Sequence, residues 1–349
     1  MLKNKVLLLI TFLSGLLFLC LTISDLSAEA ESTAFTVIPS FPENQVSEAT
    51  YFDLHVKEET KQELTIILQN TTNQSLDIEA AALNSYTAST GIIAYQKTET
   101  AEKNKGRSFT KLIEPKQQQI RLMPNEAKAV SFTLDMKKQA ITGEILGAFS
   151  FAVISSETEE SKDAMLQARY ETQVGVRLRS ELTDLPSPNL TLEKTEPIVK
   201  NDHAAIQSTV KNDQPVAFGK VKAEITIHEK ETKKNVGEKE VENYQIAPNS
   251  TIPLVTELNA EQLEPGEYTT HIELTSPKGH WVFDDSFTVS AANAKMINQK
   301  TVYAEKYENK NMLVYVLIFF ILLLLLVILY LSWRYYRSKK SKESGTRNG

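Results

Sequence analysis

The chain has 349 residues, 42% hydrophobic and 23% charged, with a formal net charge of −6 and a single cysteine, Cys20. That is enough apolar surface for packed cores in two domains of ordinary size. No basic face of the kind phosphate binding needs is visible, so a nucleic-acid partner is excluded, and a mature chain without Cys20 must hold its cores without an intramolecular disulfide.

The amino end reads as an export signal over residues 1–30. Lys3 and Lys5 precede the apolar run Val6 to Leu21, and Ala28-Glu29-Ala30 has the small-x-small form of a signal-peptidase site. Retention as an uncleaved anchor is the alternative, because the run is long enough to stay in a bilayer. Leu17-Phe18-Leu19 before Cys20 is too bulky for a lipoprotein site, and an exported region without disulfides suits a Gram-positive surface better than an animal secreted one.

Residues 31–186 predict a first antiparallel β-sandwich. A strand from Ala34 to Ile38 is interrupted by Pro39 and Pro42; Tyr51 to Leu54 leads to a strand at Leu64 to Leu68, and Asn70 to Asn73 supplies turn chemistry. Leu76, Ile78 and Ala80 alternate with polar residues and face inward, and Val130 to Leu134 and Val174 to Arg179 repeat the pattern. Phe149 to Val153 follows a glycine-containing bend at Gly143 to Gly147, and the polar stretch Lys97 to Arg107 reads as an exposed loop.

Leu185-Pro186-Ser187-Pro188 marks a boundary, since two prolines resist both helix and central strand. Residues 187–290 predict a second, immunoglobulin-like sandwich of seven strands: Leu190 to Leu192, Ala205 to Val210, Val221 to His228, Glu240 to Ile246, Ile252 to Glu257, Tyr268 to Leu274 and Trp281 to Val289. Tyr268, entering the penultimate strand after Pro265-Gly266, has two readings: a tyrosine-corner phenol bonded back to the turn, or a ring packed at a strand end. Met123-Pro124-Asn125 and Ala247-Pro248-Asn249 each precede an inward-facing strand, which fits either two copies of one sandwich or the commonness of Pro-Asn turns.

After a linker, residues 291–311, the run Met312 to Leu331 carries no charge for twenty positions, the length of a membrane-spanning helix. Trp333, Arg334, Tyr335 and Arg337 then supply interfacial aromatics and bases, and residues 332–349 form a basic tail placed in the cytoplasm. The expected topology is single-pass with the body outside.

Residues of catalytic type are sparse and scattered. The five histidines show no metal-ligand spacing, no phosphate loop or Gly-x-Ser-x-Gly elbow occurs, and no catalytic, metal or cofactor residues are assigned. Asp284 and Asp285 point to opposite faces if they lie in a strand, which favours a surface role over calcium. The sequence therefore predicts a binding protein and not an enzyme.

Phe35-Thr36-Val37, Tyr51-Phe52-Asp53-Leu54, Thr90 to Tyr95 and Gly143 to Ala148, followed by Ile246 to Ser250, Leu263 to Tyr268 and Trp281-Val282-Phe283 with Phe287, resemble in order and spacing the WxL-interacting proteins of Gram-positive bacteria. Ala148 departs from the pattern where a glycine is expected. The resemblance implies a membrane-anchored surface scaffold. Its first domain would contact peptidoglycan, its second would engage host matrix or partner proteins, and the whole would help hold WxL-domain proteins at the wall. Sugar binding needs aromatic faces beside hydrogen-bonding groups, and Asn84, Tyr86 and Tyr95 are the candidates, with packing inside the sandwich the competing role for the tyrosines. A signalling receptor with a short tail is the alternative function; a wall hydrolase is less favoured, lacking paired carboxylates.

Overall fold

A computed structural model describes residues 34–97, 108–136, 142–156 and 171–345. The export signal and positions 98–107 of the expected loop lie outside the described residues.

Among the described residues, ten strands build the first sandwich: β1 (Phe35–Ser40), β2 (Phe52–His55), β3 (Lys61–Asn70), β4 (Leu76–Thr87), β5 (Ile93–Gln96), β6 (Ile113–Glu114), β7 (Gln117–Leu122), β8 (Ala127–Asp135), β9 (Glu144–Ser156) and β10 (Glu171–Arg179). One sheet runs β1-β3-β8-β6 and the other β2-β10-β9-β4, with β5 and β7 both on the far side of β4. Every pairing is antiparallel except β2 with β10, where Phe52 to His55 lie parallel to Val176 to Arg179. Period-two alternation creates the core: Leu64, Ile66 and Leu68 of one sheet meet Leu76, Ile78, Phe149 and Phe151 of the other. Phe149 stacks on Phe132 at 4.2 Å.

Two local expectations change. β1 runs through Pro39, which is tolerated because β1 is an edge strand, paired among the described residues only with β3. The bend expected over Gly143 to Gly147 is confined to Gly143, at φ +77°, and β9 passes straight through Gly147. There the Phe109 ring occupies the space of the missing side chain, 2.2 Å from where a Cβ would lie.

The second sandwich has β11 (Leu190–Lys200), β12 (His203–Asn212) and β15 (Thr251–Glu257) in one sheet. The other is ordered β14 (Asn235–Ile246), β13 (Phe218–Glu229), β16 (Gly266–Ser276), β17 (Gly279–Val289). All seven predicted strands are present. β11 and β14 extend beyond their predicted spans, because their added residues are mostly polar and join edge strands with one solvated side.

The Pro-Asn echo is structural. Asn70 Nδ2 donates to the Gln74 and Met123 carbonyls (2.7 and 2.9 Å) while its Oδ1 accepts the Thr72 N–H. Asn212 Nδ2 donates to Val216 and Ala247 (2.9 and 3.0 Å) while its Oδ1 accepts the Gln214 N–H. Asn125 and Asn249 both adopt positive φ beside these clamps. Strand by strand, β3, β4, β8, β9 and β10 correspond to β12, β13, β15, β16 and β17 in sheet position, so the two sandwiches repeat one plan.

The sandwiches are joined by buried polar contacts. Thr87 Oγ1 lies 2.7 Å from Ser250 Oγ and accepts the Ala247 N–H. The Gln245 N–H donates to the Gly91 carbonyl, and the Tyr244 hydroxyl to that of Ser89.

The stretch read as a linker is folded. Helix α1 (Ala291–Asn298) is capped by Ser290 Oγ, which accepts the Asn293 N–H. It buries Ala294 and Ile297 against the cluster holding Leu263, Tyr268 and Val289. The Asn298 side chain bonds both the N–H and the carbonyl of Leu263 at 2.9 Å. After Tyr303, whose ring meets His203 edge-on at 5.8 Å, helix α2 (Ala304–Gly345) begins without a further break.

Candidate functional site

Depressions flank the junction of the sandwiches, and two of them hold the candidate residues. In β10, Val174, Val176 and Leu178 face the core, which turns Gln173, Gly175 and Arg177 outward. A Cβ on Gly175 would lie 3.5 Å from the Tyr51 Cβ and 3.6 Å from the Tyr95 hydroxyl, so the glycine leaves an open floor between two phenols. The groove, about 570 Å³, continues past Arg177 to Ala217, Phe218 and Gln245 of the second sandwich. Burial, and secondarily the neighbouring Tyr51, push the Tyr95 phenol above its ordinary value, keeping it a neutral donor at physiological pH.

Arg177 is fixed at the wall of this groove. Its Nε donates to Glu144 Oε2 at 2.6 Å, and Glu144, 0% exposed, also accepts the Ala217 N–H from the second sandwich. One carboxylate thus positions the guanidinium and ties the domains together. Phenol faces beside the Gln173 and Gln245 amides offer both halves of sugar recognition, a flat apolar surface and hydrogen-bonding groups.

The three residues singled out from sequence are not brought together. The register sets Ser85 opposite Tyr95 and Tyr86 opposite Ala94, so the two tyrosines project from opposite faces of the sheet. Asn84 is 3% exposed and its amide is used within the fold, donating to Thr110 Oγ1 (3.0 Å) and accepting the Thr110 N–H (2.9 Å). It clamps the 3₁₀ turn Phe109–Lys111. Tyr86 lines a separate cleft of about 470 Å³ with Gln96, Lys200, Gln207 and Asn249. Tyr51 and Gly175 were not singled out, because strand patterning reports which residues face inward and says nothing of which outward residues meet across a sheet.

Elsewhere, the Tyr268 hydroxyl donates to the Glu264 carbonyl at 2.7 Å, and the ring stacks on Phe287. Trp333 and Arg334 are exposed on α2, within Val314–Arg334, a segment long and apolar enough to cross a membrane; the side chains of Tyr335 and Arg337 lie outside the described ones. Among the described residues, no three His, Cys, Asp or Glu side chains are placed to hold a metal.

Fold and grooves together define a tandem antiparallel β-sandwich protein with a C-terminal apolar helix, in which the chemistry offered is contact through aromatic and amide groups. The peptidoglycan-binding domain model of the WxL Interacting Proteins matches residues 35–153, and their host-binding domain model matches residues 161–299. The chain belongs to the WxL-interacting protein family. The second match begins ahead of β10, which is nevertheless hydrogen-bonded into the first sandwich. No curated protein matches the chain. Among solved structures, the YadV chaperone is similar at 12% identity over 73% of this chain and 100% of its own, with a TM-score of 0.29. The class 5 fimbriae chaperone CfaA aligns at 12% identity, over 72% and 98%, with a TM-score of 0.28. The CupB2 chaperone of Pseudomonas aeruginosa aligns at 13%, over 64% and 92%, with a TM-score of 0.23.

Proposed function

We propose that this protein is a membrane-anchored, non-enzymatic surface adaptor: its first sandwich contacts peptidoglycan, its second engages WxL-domain or host matrix proteins, and α2 anchors it with the C-terminus in the cytoplasm. The observation that carries this reading is the tandem match to the two family domains ahead of an apolar helix. Basic residues after the span support the orientation. The sugar-contacting surface is the groove over Gly175, where glycan rings would lie against Tyr51 and Tyr95 within reach of Gln173 and Gln245.

Sedimentation of the full-length chain with insoluble peptidoglycan tests the proposal. Gly175→Val fills the floor with a side chain at home in a strand and should reduce the bound fraction about tenfold, with little loss of stability. Tyr51→Ala with Tyr95→Ala should do the same. Failure of the unaltered chain to sediment overturns wall contact; unchanged sedimentation of the variants overturns the assigned groove.

A further inference from the structure

The repeated plan of the two sandwiches reveals a slot filled in one and open in the other. In the first, edge strand β10 is covered along Val176 to Arg179 by β2, which adds Phe52 and Leu54, both 0% exposed, to the core. Val176 and Leu178, in the covered stretch, are buried. The corresponding strand of the second sandwich, β17, pairs with β16 along its whole length and with no other strand among the described residues. Its inward row, Trp281, Phe283, Asp285 and Phe287, stays half-buried until α1 closes the margin at Val289. Among the described residues, the backbone edge equivalent to the one β2 occupies carries no paired strand, although β11 of the facing sheet approaches it, and beside it lie three incompletely covered aromatic rings.

The inward row of this margin contains one charged residue. Asp285 is turned inward between Phe283, which packs on one apolar cluster of the core, and Phe287, which packs on the other. Its carboxylate accepts the Ser286 N–H and meets no cation among the described residues. Directly across in register is Thr270, only 2% exposed, whose hydroxyl has no hydrogen-bond partner among the described residues. A half-buried carboxylate backed by an unpartnered buried hydroxyl calls for a donor entering from the open side.

We infer that the β17 margin is a docking site for an extended segment of a partner protein that adds as a further strand, its inward side reading apolar, basic, apolar at alternate residues. Apolar side chains cover Phe283 and Phe287, and a lysine or arginine between them meets Asp285. An inward charge at an edge also discourages promiscuous pairing, so the same aspartate that recruits a basic strand rejects uncharged and acidic ones. The inference rests on the second sandwich alone and is independent of wall binding.

The test uses the full-length chain in detergent micelles and two fluorescein-labelled synthetic peptides, one centred on Leu-Thr-Lys-Thr-Phe and the other with Glu replacing the lysine. Anisotropy should show saturable binding of the lysine peptide at least about tenfold tighter than that of the glutamate peptide. Asp285→Lys should reverse the preference, and the near-isosteric Asp285→Asn should abolish it. Equal binding of the two peptides, a preference unaltered by both substitutions, or no saturable binding of either peptide overturns the inference.

Discussion

Gly91 and Tyr244 share a space that no larger residue can enter. Gly91 sits at φ +80°, and a Cβ there would fall 1.6 Å from Tyr244 Cδ1. Gly91→Ala combines left-handed backbone strain with direct overlap at the domain junction, and should cost about 2–4 kcal/mol in urea denaturation. Adding Tyr244→Ala should recover the overlap portion but not the backbone portion, so the double variant should be less destabilised than the two single losses summed. Glu144 makes the same point about polar residues: from sequence it belongs to a glycine-flanked bend, whereas folded it is the buried carboxylate linking Arg177 to Ala217. Such roles were not legible, because a pattern of inward and outward positions does not tell an exposed charge from one that a second domain later covers.

At the scale of elements, what the sequence made legible was alternation. Val221, Ala223, Ile225 and Ile227 face inward without exception, and β13 forms where they do. Helix α1 was not legible: Ala291 to Asn298 has only Ala294 and Ile297 as apolar residues of its buried face, too few to mark a helix before the docking surface is known. Its seat depends on Asn298, whose amide satisfies both backbone groups of Leu263 in a buried setting. Asn298→Ala should cost about 2 kcal/mol by leaving those groups unpaired. Hydrogen exchange should localise the effect, with amides of α1 exchanging faster while those of β13 keep their protection. The candidate groove was half legible: the sequence offers Tyr95 as a candidate, and the fold sets it beside Tyr51 and Gly175 from other strands in place of Tyr86 and Asn84.

For the molecule as a whole, the proposed anchoring by α2 would make the order of parts along the chain their order above the membrane. On the proposed topology, the sandwich matched by the peptidoglycan-binding model lies outermost and the one matched by the host-binding model lies next to the apolar helix. Protease added to wall-stripped, unbroken cells should therefore remove both sandwiches and leave a short fragment containing α2. A tag placed after Gly349 should remain protected until the cells are opened. Survival of the full-length chain, or cleavage of the tag on sealed cells, would contradict the orientation.

The seating of α1 leaves no slack beneath the second sandwich. From Ala304 to the apolar segment at Val314, α2 supplies ten residues, or about 15 Å of headroom at helical rise. A folded globule of ordinary size cannot slip into that gap. On the proposed topology, whatever reaches the membrane-facing end of that sandwich comes in sideways along the bilayer or as a single slender thread.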